Sequence, residues 1–338
     1  MKDAGKRSRL KKIAGLNNFA LLIVLICVIV ILSLLNENFF TARNALTILL
    51  GASVVGMLAI GETYLIIGGA IDVSCGAVGA MSGVLVALMI SKWAVPWPLA
   101  VLAVMLVGVL VGLLNATLVT HFSLQPFIAT LATASVCEGV GFLICDGRSI
   151  TIPKGETGFL FLGTGKLFGV QLPILFLVIL FVVFGVILAK TKFGRSVYMI
   201  GGNKTAASLA GIRPERLLTK LYVLSGVIAS FTGVVLASRL NTGAPSAILG
   251  SEFDAITAAV LGGVAFNGGK GSLVGCFIGL LIIQCFSNGL TILSVSSFWQ
   301  TVAKGVLLIA ALILDDMRNK RTLRAKIRIR TGKKERVP

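Results

Sequence analysis

The sequence predicts an all-α, polytopic membrane helix bundle with about ten transmembrane helices. Three observations carry this. Hydrophobic residues make up 56% of the 338 and charged ones only 13%, with a mean hydropathy of +0.98. Apolar runs long enough to cross a bilayer recur along the whole length. The formal charge of +18 is gathered at the two ends and in one central stretch instead of being spread along the chain. In a soluble protein that charge would point to nucleic acid. Here the bias of Lys and Arg toward the cytoplasmic side of membrane proteins accounts for it, with anionic headgroups of membrane lipid as the neighbours of the tails and no nucleic-acid partner.

Residues 1–18 form a basic tail carrying Lys2, Lys6, Arg7, Arg9, Lys11 and Lys12. The apolar run at 19–35 reads as a first span and not as a cleaved signal, because Asn36-Glu37-Asn38-Phe39-Phe40 offers no small-residue cleavage site. Further spans are expected at 45–66, 76–91, 97–119, 126–145, 171–189, 220–240, 253–267, 272–292 and 297–314. Starting inside, even-numbered spans return to the cytoplasm. That places the loop at 190–220 and the basic tail at 315–338 on the cytoplasmic side, with a multi-pass membrane domain over 19–314. The loops left outside hold far fewer cations. The longest of them, 146–170, is rich in Gly, Pro and Thr and suits a folded surface turn with short extended pieces.

The central stretch organises the chain. Between Lys190 and Lys220, seven cations face one acid, Glu215. Asn203 is placed to cap a short helix over 204–210, with Gly211 just past its end and Pro214 preventing continuation. A small helix between two spans on the cytoplasmic face suits docking to a soluble partner.

Within the apolar sequence, Gly68-Gly69-Ala70-Ile71-Asp72-Val73-Ser74-Cys75-Gly76 is costly unless buried polar partners satisfy it. It reads either as a break beside a translocation pathway or as an Asp that caps the next helix through the amide of Ser74 or Cys75; the two are compatible. Glu62, Glu138 and Lys304 also fall in spans and are expected to face the interior. Asn115, Gln284 and Asn288 suit hydrogen bonds to a polar solute or between helices. Asp72, Ser74, Asn115, Asp254 and Asn288 are therefore the pathway candidates. Gly79 with Gly83, Gly108 with Gly112, and Gly275 with Gly279 are spaced to let helices approach closely. The stretch Gly262–Ser272 imitates a phosphate loop but fails it, since Val264 stands where a glycine is required and Gly271 follows Lys270. No catalytic constellation, metal-ligand cluster or cofactor motif is present, His121 is alone, and the six cysteines suit core packing. Neither catalytic activity nor a bound cofactor or metal is expected.

The chain resembles the permease subunits of bacterial ABC importers for ribose, xylose, galactosides and related small solutes. The resemblance rests on Gly69–Gly76, on Pro126-Phe127-Ile128-Ala129-Thr130-Leu131 and on the central loop, with Gly194-Arg195, Tyr198, Gly201-Gly202-Asn203, Ala206-Ala207 and Leu209–Ile212. It continues through Leu224-Ser225-Gly226, Ala237-Ser238-Arg239, Glu252–Ile256, Gly262–Ser272 and Ser296–Gln300, so that it covers roughly residues 40–316. Ala70, Val73 and Cys75 are small departures from the family's Gly-Gly-Ile-Asp-Leu-Ser-Val-Gly. The resemblance implies a ten-span permease paired with a second copy or a paralogue. It also implies two cytoplasmic ATP-binding subunits docked through a coupling helix, here Gly201, Gly202, Asn203, Ala206, Leu209, Gly211 and Ile212. A periplasmic or lipid-anchored solute-binding protein would deliver the solute for ATP-driven transport by alternating access. The alternative is an ion-coupled secondary carrier, for which Glu62, Asp72 and Glu138 are the suitably placed acids of the first half. An inverted repeat of spans two to five against seven to ten is a further expectation, with Ile71-Asp72 set against Phe253-Asp254 and Asn115 against Asn288.

Overall fold

The computed structural model describes the backbone of residues 2–331 and the side chains of 19–317 and 320. The basic side chains of the tail at 1–18, most of those after Asp315, and residues 332–338 altogether lie outside the described residues. The bundle is built from α1 (Lys2–Leu35), α2 (Ala42–Ile67), α3 (Cys75–Ser91), α4 (Trp97–Thr120) and α5 (Pro126–Leu143) in its first half. Then come β1 (Ile150–Thr151), α6 (Thr157–Thr164), β2 (Lys166–Leu167), β3 (Val170–Gln171), α7 (Leu172–Lys190), α8 (Lys192–Gly202) and α9 (Lys204–Leu209). The chain closes with α10 (Pro214–Leu240), β4 (Thr242–Gly243), α11 (Ser251–Leu261), α12 (Leu273–Ile292) and α13 (Ser297–Thr331).

Seven helices among the described residues are long and apolar enough to cross a membrane. The apolar stretches Phe19–Leu35 and Cys75–Ser91 are shorter, at the lower limit for spanning. The expected span at 253–267 is corrected: α11 has 11 residues, about 16 Å of helix against a hydrocarbon core of about 30 Å. Two glycines stop it. Gly262 donates to Ala258 O and Gly263, at φ +87°, donates to Val260 O, which turns the chain out of the helix. The end of α2 is closed in the same way, with Gly68 bonded to Tyr64 O and Gly69, at φ +80°, bonded to Ile66 O.

The two longest buried helices, α2 and α10, form the centre. Without water between helices, their association depends on van der Waals packing, and small residues allow the closest approach. A Cβ at Gly108 of α4 would meet the carbonyl of Gly226 and Oγ of Ser230 on α10, and one at Gly112 would lie 2.6 Å from Tyr222 O. Gly79 and Gly83 of α3 sit the same way, each 3.1 Å from a carbonyl of α10. Gly275 and Gly279 of α12 pack on the backbone of Gly262 and Ala258. The glycine pairs are thus seams between helices. The two halves also share an order of elements: a long central helix, a non-helical break, then a shorter helix with an acid at or just before its first turn. In the first half the acid is Asp72; in the second, Glu252 and Asp254.

At one end of the bundle the chain folds a small cap. β1 pairs antiparallel with β4, Phe159 of α6 is fully buried, and Ser238 Oγ donates to Phe159 O at 2.7 Å. β2 and β3 form a hairpin whose two turn residues, Phe168 and Gly169, both have positive φ. The short extended pieces expected in 146–170 are present; α6 is an addition. At the opposite end α8 and α9 lie between α7 and α10.

The seam of α4 and α10 predicts that Gly108→Leu lowers stability by about 1–3 kcal/mol through overpacking against backbone. Thermal unfolding in detergent measures this, and an unchanged midpoint would rule out the close approach.

Candidate functional site

The break between α2 and α3 gathers a cluster of buried polar side chains. Asp72 has 1% of its surface exposed, and its carboxylate takes four donors. Oδ1 accepts from Ser74 N at 3.0 Å, Ser74 Oγ at 2.5 Å and Asn115 Nδ2 at 3.4 Å, while Oδ2 accepts from Ser225 Oγ at 2.8 Å. Asn115 Nδ2 also donates to Ser74 Oγ at 2.8 Å. The freed backbone is satisfied alongside: Val73 N donates to Thr130 Oγ1 at 3.1 Å, Asp72 N reaches Glu62 Oε2 at 3.5 Å, and Tyr222 OH donates to Ile71 O at 3.1 Å. One carboxylate therefore joins the break to α4 and α10, while neighbouring bonds add α2 and α5.

Three of the five pathway candidates, Asp72, Ser74 and Asn115, come together here, and Asp72 caps the start of α3 through the Ser74 amide as the sequence suggests. Asp254 and Asn288 lie elsewhere. Asp254 pairs with Lys304 Nζ at 2.6 Å, tying α11 to α13. Asn288 exchanges two 2.9 Å hydrogen bonds with Asn44, tying α12 to α2. Of the in-span charges, Glu62 is fully buried and Lys304 is paired. Glu138 departs from the expected interior position: it is exposed on a face of α5 that the single chain leaves uncovered. Tyr222, and the part that Ser225 and Thr130 play beyond belonging to resembling motifs, were not foreseen. A hydroxyl in the middle of an apolar span was the available signal, since such a group needs a partner.

At the end of the bundle that holds α8 and α9, the short helix α9 forms within one residue of its expected bounds. Asn203 ends α8 and starts α9, and its Oδ1 accepts from Ala206 N at 2.9 Å. Gly211, at φ +82°, turns the chain toward Pro214, the first residue of α10. Gly202, Asn203, Ala206, Leu209 and Gly211 are exposed, with Leu209 at 87%, whereas Ile212 is partly covered. Helix α8, absent from the expectation, is amphipathic: Val197 and Ile200 are buried, and Tyr198 OH donates to Gly271 O at 2.8 Å.

Gly201 is the junction. A Cβ there would strike Ile67 O and lie 2.7 Å from Gly269 N, two atoms that are hydrogen-bonded to each other at 2.8 Å. Gly268 in turn packs on Gly201 and on Gly69. Three glycine turns, one ending α2, one ending α8 and one after α11, thus meet backbone to backbone. Asp315 Oδ2 accepts from Phe266 N at 3.0 Å and anchors the third turn to α13.

Removing the Asp72 carboxylate leaves buried donors unpaired. Asp72→Ala is expected to cost on the order of 3 kcal/mol and Asp72→Asn, which keeps one acceptor, less. Thermal unfolding of the two variants checks the order, and equal midpoints would contradict it.

Comparison with known proteins places this geometry. Residues 44–312 match the family described as branched-chain amino acid transport system / permease component. The ribose import permease protein of Bacillus subtilis is 41% identical over 291 residues, 86% of this chain and 90% of that one. The D-allose transport system permease protein of Escherichia coli is 35% identical, over 88% of this chain and 91% of its own. The L-arabinose ABC transporter permease protein of Azospirillum brasilense is 33% identical, over 92% and 91%. No solved structure matches. With the matched region running from α2 to α13 and relatives covered almost end to end, the chain belongs to the monosaccharide permease family of ABC transporters, multi-pass membrane subunits within the wider permease-component family.

Proposed function

We propose that this chain is the membrane-spanning subunit of an ATP-driven importer that carries a small polyhydroxylated solute, a monosaccharide such as ribose, across the bacterial inner membrane. Ribose, D-allose and L-arabinose in the names of the relatives set the solute class. The chain is a transport component; it has no ATP site of its own, so hydrolysis falls to cytoplasmic ATP-binding subunits. A solute-binding protein, periplasmic or lipid-anchored, delivers from the outside, where the cap of β1, β4 and α6 stands. In this reading both termini and α8–α9 are cytoplasmic, in keeping with the seven cations between 190 and 220. The segment that runs along α3 from Gly243, beside Gly83, to Glu252, beside Gly76, continues into α11 and together with it carries the chain back across.

The observation that carries the proposal is the junction at Gly201. The exposed helix α9, with Leu209 at its end, is the docking element for an ATP-binding subunit. The turn just before it touches the end of α2 and the glycine turn that follows α11 through backbone. A displacement of α9 therefore reaches the Asp72 break and the half-length helix α11 without passing through flexible side chains. Alternating access follows if the ATP-bound partners favour one arrangement of these turns over the other.

A second copy or a paralogue completes the pathway. Glu138 and Ser135, both exposed on α5, face the partner and the solute in this arrangement, because an isolated charge facing lipid costs roughly 2.5–3.5 kcal/mol. Asp72, Ser74 and Asn115 then hold the pathway wall in shape; Asp254 and Asn288 fix the helices around it. The ion-coupled secondary carrier is not favoured, since Glu62 and Asp72 are enclosed and the relatives are ABC permeases.

Leu209→Asp should abolish copurification of an ATP-hydrolysing subunit and reduce uptake of labelled ribose at least tenfold, with membrane insertion unchanged. Normal uptake by this variant would refute docking at α9. Gly201→Val should retain the copurifying subunit and its ATP hydrolysis while losing uptake, which separates docking from transmission.

A further inference from the structure

We propose that the groove between α7 and α12 is a seat for one acyl chain of an anionic phospholipid of the cytoplasmic leaflet, with its headgroup at Lys190. The groove encloses about 380 Å³, and apart from Lys190 its lining is apolar, with Val178, Val182, Val186, Val274 and Phe277 along its walls. It is open because of a glycine. A Cβ at Gly185 would have no atom within 4 Å, so α7 is indented at this position, beside Phe181, Val182 and Val186.

Two features fit the groove to a lipid tail and not to another helix. Its length from Val178 to Lys190 is about 18 Å at 1.5 Å per residue, close to half of a hydrocarbon core of about 30 Å, the depth of one leaflet. An acyl chain lying in it would end near the mid-plane with its phosphate level with Lys190. The mouth is also cationic. Lys190 lines it and is exposed, Lys192 follows two residues on, Lys270 precedes the groove residue Leu273 by three, and no acid occurs between Lys190 and Pro214. Each such cation near a membrane surface adds about 1 kcal/mol of attraction for anionic lipid. The face of α5 that carries Glu138 is the contrast, since there a carboxylate stands within a span.

The seat has a consequence for coupling. Helix α7 leads through Thr191 directly into α8, and the loop before α12 carries the Gly271 carbonyl that accepts from Tyr198 of α8. A chain wedged between α7 and α12 would brace both supports of α8 at once. Anionic lipid would then act as a regulator of the transmission proposed above, on whose cytoplasmic placement of α8 this inference rests.

The test is native mass spectrometry of the full-length protein, with whatever copurifies, titrated in detergent with phosphatidylglycerol or phosphatidylethanolamine of matched chains. One phosphatidylglycerol per permease chain is expected, held in preference to phosphatidylethanolamine. Gly185→Leu, which fills the groove, should remove both, and Lys190→Gln should weaken phosphatidylglycerol alone by about fivefold. If Gly185→Leu does not fold, Lys190→Gln, at an exposed helix end, still decides. Equal binding of the two lipids to the unaltered protein, or phosphatidylglycerol binding that neither substitution changes, would overturn the proposal. So would cross-linking of Gly185→Cys to another protein chain in native membranes. None of these readings involves transport, so failure here leaves the permease reading to its own copurification test.

Discussion

The structure depends on one constraint: a backbone that breaks inside a membrane must find all its hydrogen-bond partners within the protein. The stretch between Ile67 and Cys75 meets it with side chains from four helices gathered around the Asp72 carboxylate. Asp72 collects hydroxyl and amide donors from its own loop, from α4 and from α10, while Thr130 and Tyr222 take up the backbone groups on either side. A carboxylate is suited to this because it only accepts and offers about four lone-pair sites, so it can hold several hydroxyls without needing a donor position of its own. Small residues around it follow from the same need. Ser74 and Ser225 must come close, and the glycines of α4 and α10 let the helices that carry Asn115 and Ser225 approach to the required distance.

Such a node is rigid, and its position decides what it does. It lies a few residues beyond the Gly68–Gly69 turn that packs, through Gly268, on Gly201. The break is therefore held from inside by Asp72 and from the end of the bundle by glycine backbones. Rigid parts joined by turns without side chains suit a device that must move as a unit, because displacement at the turns is not absorbed by rotamer changes. Among glycines, only a few of these positions require φ > 0; Gly201 is selected instead by the space that Ile67 O and Gly269 N leave.

Most of the helices were legible because an apolar run of bilayer length has few other readings. The short helix α9 was legible because Asn203, Gly211 and Pro214 each state a boundary. Helix α8 was not, since its apolar face is made of residues such as Val197 and Ile200 that are interrupted by Gly201-Gly202 and flanked by cations, and its partner surface comes from remote segments. The half-length α11 was misread for a related reason. Residues 253–267 keep an apolar composition through Gly262-Gly263-Val264-Ala265, and hydropathy does not register that Gly263 turns the chain. Within the site, Asp72, Ser74 and Asn115 stood out as polar residues in apolar surroundings. Ser225 and Thr130 were less visible because hydroxyls are common in spans, where most bond to the preceding turn; Thr130 does so as well, at 2.9 Å to Pro126 O, while also receiving Val73 N.

The treatment of charge separates the outward faces of the bundle by function. Where a charge lies within a span and the chain has a partner for it, as for Asp254 with Lys304, the pair ties two helices. Where the surface is apolar and a cation stands only at the end, as at Lys190 on α7, the face suits lipid. Glu138 is neither paired nor at an end. Phe127, Leu131, Ser135 and Glu138 recur at spacings of four, four and three, so they fall along one side of α5, and all four are accessible in the single chain. Helix propensity and packing give no reason for a carboxylate there, because Gly141, Thr133 and Ala129 already fill the buried side. A carboxylate tolerated on that side requires water, a polar solute or another protein surface against it. Under the proposed pairing of two permease chains, α5 is the helix turned inward, and the Ser135–Glu138 end of this side is where it would meet the route.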